Sequence, residues 1–132
     1  MFKDTADFYS QARKIKSAFD GVVSKYRLKD HIMADHICYK VSSSVNFESV
    51  KKVFEQDSSW IYESIISERR IAIIRTRQFL DTLVGRINLI ELSDQKPDKS
   101  QTDGFDHIEI YPTSITYDKM VSSFKAQGLE VK

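Results

Sequence analysis

A short motif, an aspartate followed by a histidine and an isoleucine, lies at the start of two predicted strands, at residues 35–37 and 106–108. The same three residues also occur at 30–32, in a predicted connection. Around the copy at 106–108, residues 104–112 alternate in a period of two that is typical of a β-strand. The alternation predicts one face made of Phe105, His107, Glu109 and Tyr111 and an opposite face made of Asp106, Ile108 and Ile110. A sheet of such strands packs one face on helices and turns the other to a pocket or to solvent. The polar face can therefore line a binding pocket or form an ordinary solvent-exposed surface.

Hydrophobic spacing predicts the elements before and after the first motif. Apolar residues every three or four positions indicate an N-terminal helix, polar on its other side, that packs outside a sheet. In chain order the sequence predicts a helix over 5–26, a connection over 27–34, a strand over 36–41, a helix over 46–56 capped by Asn46, hairpin strands over 60–67 and 70–76, a loop over 78–85 and a strand over 86–92.

A polar loop over residues 93–103, rich in residues that interrupt helices and strands, divides the chain into two units. The second unit begins again with the strand 104–112, followed by a helix over 113–127 that stops at Gly128, and residues 129–131 open a further strand. The order of elements is therefore βαβββ, then βα and the start of a third element.

Composition and charge exclude several classes of partner. With 132 residues, 41% of them hydrophobic and 30% charged, the chain is expected to form one globular domain over residues 1–132. The net charge of +1 comes from 20 basic and 19 acidic side chains that are interspersed, so neither nucleic acid nor a membrane is an expected partner. Cys38 is the only cysteine and no apolar signal core is present, which predicts a cytoplasmic protein.

Four segments together resemble a known family. They are Ala34-Asp35-His36-Ile37, Phe54-Glu55-Gln56, Ile90-Glu91-Leu92 and Phe105-Asp106-His107-Ile108-Glu109-Ile110. This pattern resembles the YecM-like family of the vicinal oxygen chelate superfamily, whose other members resemble glyoxalase I and extradiol dioxygenases. The resemblance implies an α+β fold in which paired βαβββ modules form a cup-shaped mixed sheet with helices outside. The first module would cover about 34–93, and the second, about 104–132, would be truncated.

The resemblance also implies a divalent metal in the cup. Position by position, His36 matches the ligand on the first strand of module one, Glu91 the ligand on its last strand, and His107 the ligand on the first strand of module two. A fourth ligand would lie on the strand missing from module two. Two histidines and a glutamate suit Zn²⁺, Fe²⁺, Ni²⁺ or Mn²⁺ and leave positions open for substrate oxygens. The implied activity is a metal-dependent isomerase, lyase or dioxygenase on a small oxygen-bearing metabolite, with Glu109 moving a proton.

Each candidate residue has an alternative role. The histidines can be hydrogen-bonded surface residues, and Glu91 can form a salt bridge with Arg75 or Arg86. Glu109 can be a fourth ligand, a carboxylate behind the ligands or a solvated strand residue. Tyr111 and Cys38 are predicted to be pocket or packing residues.

The alternative function is a small-molecule binding or dimeric interaction module without a metal. An incomplete second module leaves strand edges with unpaired backbone groups, so a homodimer is expected.

Overall fold

The computed structural model describes residues 2–129, which form three helices and five strands. In chain order they are α1 (Thr5–Lys25), β1 (Ile32–Lys40), α2 (Ser44–Phe54), β2 (Ser58–Ile66), β3 (Arg69–Thr82), β4 (Gly85–Ser93), β5 (Gly104–Pro112) and α3 (Tyr117–Ala126). The strands form one sheet in the order β2-β3-β4-β1-β5, in which β1 and β4 are parallel and the other neighbours antiparallel. This open mixed sheet confirms the predicted α+β class and the order βαβββ followed by βα.

Two strands are longer than local patterns predicted. β1 begins at Ile32 inside the predicted connection 27–34, because Ile32 pairs with Pro112 of β5. β3 continues to Thr82 through part of the predicted loop 78–85, because its pairing with β4 resumes at Leu80 after an irregular stretch. Both extensions depend on partners elsewhere in the chain.

The helices begin at other caps than expected. Ser43, not Asn46, caps α2, and its side chain accepts the backbone N–H of Asn46. Thr116 caps α3, which therefore starts four residues after the predicted position 113. The further strand predicted over 129–131 reaches beyond the described residues, and Leu129 itself is not in a strand.

The hydrophobic core lies between the helices and one face of the sheet. The apolar stripe of α1 inserts Phe8, and α2 adds Phe47 and Phe54, all of them fully buried. The rings of Phe8 and Phe54 meet edge to face with centroids 4.9 Å apart. Burying each such ring contributes about 1.5–3 kcal/mol relative to an exposed one. Met120 of α3 joins the same cluster, so all three helices of the described chain contribute to the core on one side of the sheet.

Each aspartate of the repeated motif is the extra residue of a β-bulge between β1 and β5. Ala34 pairs with Ile110 and His36 with Glu109, which leaves Asp35 without a partner. On the opposite strand, Asp106 is skipped in the same way, between the partners of Cys38 and Tyr39. The extra residue shifts the alternation of the strand by one position. Residues of the opposite parity therefore face the core before and after the bulge.

The second bulge corrects the predicted alternation of β5. Phe105, expected beside His107, lies instead in the core, with its ring 5.0 Å from that of Tyr39 and 5.1 Å from that of Phe8. Asp106, expected on the core face, turns toward His107. Only after the bulge do Ile108 and Ile110 follow the predicted pattern and pack on the core.

Candidate metal centre

Three neighbouring strands bring four polar side chains together on the sheet face opposite the core. Cys38 of β1 pairs with Glu91 of β4 on one side and with His107 of β5 on the other. His36 lies two residues before Cys38 and therefore extends from the same face of β1. The register thus gathers the three predicted ligands His36, Glu91 and His107 around Cys38, a residue that the sequence placed only in a pocket or in packing.

The potential ligand atoms lie close to one another. His36 Nε2 is 3.0 Å from Glu91 Oε2, and Cys38 Sγ is 3.4 Å from the same oxygen. Cys38 Sγ is also 3.1 Å from His107 Nε2. The two imidazole nitrogens and the sulfur all lie within 4.8 Å of one another, so His36, Cys38 and His107 form a group that can hold a metal ion.

Both histidines are oriented in the same way by the aspartate that precedes them. His36 Nδ1 lies 2.8 Å from Asp35 Oδ2, and His107 Nδ1 lies 2.8 Å from Asp106 Oδ2. An aspartate that accepts the Nδ1 proton leaves the Nε2 lone pair free, which is the arrangement found behind metal-binding histidines. An imidazole that keeps its Nδ1 proton on this aspartate would coordinate a metal through Nε2.

His36 Nε2 is buried and lies at ion-pair distance from Glu91, 3.0 Å from its Oε2, although the contact does not meet the geometry of a hydrogen bond. Protonated His36 therefore pairs with the Glu91 carboxylate when no cation is bound. A metal ion would have to displace the Nε2 proton, and the Glu91 carboxylate would then lie close to the ion.

The charges around the cluster shift the pKa values of its members. The contact with Glu91 raises the pKa of His36 to about 9. Burial opposes this rise, and Asp35 adds to it. The pKa of Glu91 is lowered, chiefly by His36. Burial, followed by the charge of Glu91, raises the pKa of the Cys38 thiol. Without a cation the sulfur is therefore a neutral thiol, and a bound cation would favour the thiolate instead.

The separations fit a small divalent ion. Bonds of about 2.0–2.1 Å to nitrogen and 2.3 Å to sulfur place tetrahedral ligand atoms about 3.5 Å apart. Cys38 Sγ and His107 Nε2, at 3.1 Å, are within a few tenths of an ångström of that value, and so are the two distances to Glu91 Oε2, 3.0 Å and 3.4 Å. The full set of His36, Cys38 and His107 atoms lies within 4.8 Å, so a shared ion would draw its ligands closer together.

The other residues singled out from the sequence lie around this cluster. Glu109 Oε2 is 3.2 Å from His107 Nε2, and the Glu109 side chain is half exposed. Arg86 pairs with Asp81 rather than with Glu91, and no arginine forms an ion pair with Glu91 in residues 2–129. Tyr111 is 45% exposed and does not line the cavity beside the cluster.

That cavity, of about 190 Å³, is lined by the cluster residues Cys38, Glu91 and His107 and by residues that the sequence had not singled out. Among the latter are Arg69 at the start of β3, and Lys96 and Gln101 in the loop between β4 and β5. The polar composition of that loop was visible in the sequence. Its position as a wall of the cavity depends on tertiary contacts that the sequence does not reveal.

An open mixed sheet with helices on one face and a His/Cys/His group on the other defines an α+β protein with a candidate metal centre. Comparison with known families is more specific. The chain belongs to the YecM family, because the family model described as "YecM protein" matches residues 3–129.

A solved structure titled "Structural Genomics, Protein EC4020" is similar to this one, with a TM-score of 0.68 and 18% sequence identity. The match covers 92% of this chain and 70% of that chain, and at this identity it shows the fold alone. The search of curated proteins found no match. None of the helices in the described residues combines the length and the hydropathy that a membrane span requires.

Proposed function

We propose that the protein binds one divalent metal ion through His36, Cys38 and His107, with Glu91 as a fourth ligand or as an ion-pairing carboxylate. The observation that carries the proposal is the grouping of His36, Cys38 and His107, whose potential ligand atoms all lie within 4.8 Å of one another. Two imidazoles oriented by aspartates at matching bulges add support, because the same arrangement is found behind metal-binding histidines.

The ligand set favours zinc. A thiolate is a soft ligand that Zn²⁺ accepts readily, whereas Mn²⁺ prefers oxygen ligands. Fe²⁺ and Ni²⁺ also bind imidazole and are the next candidates. A site with three protein ligands and an open position is typical of a catalytic rather than a structural zinc.

The proposal includes a more specific assignment, that the protein belongs to the vicinal oxygen chelate superfamily. Its support is the βαβββ order followed by βα, with a histidine on the first strand of each unit and Glu91 on the last strand of the first unit. On this proposal the ligand is a small metabolite with two neighbouring oxygens. A bound metal would polarise those oxygens and stabilise negative charge on them.

The chain's own residues have distinct tasks in this proposed activity. His36, Cys38 and His107 bind the metal, and Asp35 and Asp106 orient the two imidazoles. Glu109, half exposed beside His107, moves a proton to or from the ligand. The corresponding class of activity is a metal-dependent isomerase, lyase or dioxygenase.

A homodimer and a cytoplasmic location belong to the same proposal. β5 is an edge strand with one neighbour in the described sheet, so its outer backbone groups are available to a second copy. Analytical ultracentrifugation tests the dimer, and a concentration-independent monomer would exclude it. The free thiol of Cys38 must stay reduced to bind a metal, which suits the cytoplasm.

Elemental mass spectrometry tests the metal site. We expect close to one divalent ion per chain in tag-free protein reconstituted with Zn²⁺, Fe²⁺, Ni²⁺ or Mn²⁺ in turn. His107→Ala should lose the ion. His31→Ala is the matched control, since His31 is exposed and hydrogen-bonded to Ser114 away from the cluster. A metal-free protein after all four reconstitutions would overturn the proposal and favour the binding or interaction module without metal.

A further inference from the structure

We infer that the ligand of this centre is a small organic anion that offers neighbouring oxygens to the metal and a second carboxylate or phosphate group to Arg69 and Lys96. The inference rests on the proposed function, because the metal is what the chelating end of the ligand would bind. It adds the chemical class of the ligand and names the residues that select it.

The cavity beside the cluster limits the ligand to a small molecule. Its volume of about 190 Å³ corresponds to roughly six waters in the liquid. Cys38, Glu91 and His107 contribute to its lining, and so do Arg69 and Lys96. A molecule of a few carbon atoms can therefore fill the cavity and contact both groups of residues at once.

Arg69 is held at the cavity by a buried amide. Its Nη1 donates to Gln101 Oε1 at 2.8 Å. Gln101 is itself 8% exposed, and its Nε2 donates to the backbone carbonyls of Val41 at 2.7 Å and Asp94 at 2.9 Å. This anchoring fixes one edge of the guanidinium and leaves its other N–H groups for a ligand, in the forked arrangement that suits carboxylates and phosphates.

Two cations of the cavity have no ion pair in the described residues. Among residues 2–129, neither Arg69 nor Lys96 lies within ion-pair distance of a carboxylate, whereas the third cation of the cavity, Lys40, pairs with Asp106 at 3.0 Å. Asp98, in the same loop as Lys96, accepts the backbone N–H of Ser100, and the charge of Lys96 acts on it only from a longer distance. The two carboxylates of the cavity, Glu91 and Asp106, have partners of their own in His36 and Lys40, so Arg69 and Lys96 are the cations that can bind an anion.

The register separates the cations from the proposed metal ligands. Ile71 of β3 pairs with Ser93 of β4, which lies two residues after Glu91, and Arg69 lies two residues before Ile71. Four residues of strand correspond to about 13 Å between the backbone levels of Glu91 and Arg69. Both side chains extend into the same cavity, so their functional groups are nearer to each other than their backbones, and the metal and the guanidinium would contact different groups of one small ligand.

Isothermal titration calorimetry on the zinc-loaded protein tests the inference with three probes. Malate has a hydroxyl and a carboxylate to chelate the metal and a distal carboxylate. The probe 3-phosphoglycerate carries a distal phosphate instead, and 2-hydroxybutanoate keeps the chelating end but has no distal anion. We expect the Kd of malate or of 3-phosphoglycerate to be at least about tenfold lower than that of 2-hydroxybutanoate. A tenfold difference corresponds to about 1.4 kcal/mol, which one charge-assisted hydrogen bond to the distal group can supply. The tighter of the two identifies the distal group.

Substitutions separate the two ends of the ligand. Arg69→Met and Lys96→Met should each remove much of the preference for the distal anion and leave 2-hydroxybutanoate binding unchanged. Arg75→Met is the matched control, because Arg75 lies on the same face of β3 but does not line the cavity. If Arg69→Met fails to fold, Lys96→Met on the exposed loop gives the same readout.

Metal content, measured on every variant, distinguishes failure of this inference from failure of the proposed function. Full zinc occupancy with equal affinity for all three probes, or an anion preference that survives both substitutions, would overturn the inference and leave the metal site intact. Absence of zinc from the wild-type protein would overturn the proposed function first.

Discussion

His36 and His107 occupy equivalent positions in the antiparallel pair of β1 and β5, each following the extra residue of a β-bulge. In both cases that residue is an aspartate whose carboxylate lies 2.8 Å from the imidazole Nδ1. The bulges turn both rings to the helix-free face while the isoleucines after them, Ile37 and Ile108, stay on the core side. One local device, used twice, therefore produces both proposed nitrogen ligands.

Removing a bulge aspartate's charge should weaken metal binding without removing a ligand. Asp35→Asn should lower the zinc affinity by about 10–100-fold, the usual cost of losing the group behind a metal-binding histidine. Competition with a chromophoric chelator measures the affinity. Asp30→Asn, the same charge change at an exposed site, is the control, and equal affinities for the two variants would contradict the orienting role.

Cys38 is expected to bind the metal as a thiolate. Cobalt-substituted protein should show a sulfur-to-metal charge-transfer absorption that Cys38→Ser abolishes, because the hydroxyl is a poor replacement for a thiolate. Burial of Cys38 makes serine, which has nearly the same shape, a better test than a larger residue. Persistence of the absorption in the serine variant would show that the sulfur is not a ligand.

Metal binding should stabilise the fold. At a free zinc concentration of about 100 times Kd, ligation contributes about 2.7 kcal/mol, which raises the Tm of a domain of this size by roughly 10 °C. Differential scanning calorimetry with and without a chelator measures the shift. The shift should vanish in His107→Ala, and a chelator effect of equal size in that variant would place the stabilising metal elsewhere.

Asp103 fastens the loop between β4 and β5 to the start of α2, and this contact should depend on pH. Its carboxylate accepts the Ser42 backbone N–H at 2.7 Å, the Ser42 hydroxyl at 2.9 Å and the Asn46 amide at 3.2 Å. Burial opposes these hydrogen bonds, but together they lower the pKa of Asp103 below 3.8. A lowered folded-state pKa stabilises the fold above the unfolded-state pKa, and the benefit is lost as pH falls through the folded-state pKa.

We therefore expect Asp103→Asn to lower the free energy of unfolding at pH 7 by about 1 kcal/mol, a value kept small by solvent screening of an exposed side chain. Urea unfolding at several pH values measures the difference from wild type. The difference should shrink at pH values below 3.8, where the wild-type carboxylate begins to be protonated. A difference that stays constant with pH would show that the carboxylate's charge is not involved.

Local patterns in the sequence predicted the types of the elements well. The apolar stripe of α1 and the alternation of Ile108 and Ile110 depend only on residues close in the chain, and both appear in the structure as predicted. Two copies of the Asp-His motif marked residues that the sheet brings together, whereas the copy at Asp30-His31 lies away from the cluster. The motif alone therefore does not show which copies meet.

What the sequence could not predict depends on strand register. The bulge at Asp106 moves Phe105 into the core, and it exists only because β5 pairs with β1. Cys38 lies between Glu91 and His107 because of pairings across 53 and 69 residues of chain. Arg69 becomes a cavity residue through Gln101, 32 positions away. Contacts over such separations leave no local pattern.

X-ray absorption spectroscopy at the zinc edge of the reconstituted protein tests the central claim most directly. The account predicts two imidazole nitrogens at about 2.0–2.1 Å and one sulfur at about 2.3 Å, completed by one or two light ligands. The sulfur contribution should disappear in Cys38→Ser, whereas His107→Ala should give no zinc signal because that variant loses the ion. A spectrum with oxygen ligands alone, or one unchanged in Cys38→Ser, would contradict the metal centre proposed between β1, β4 and β5.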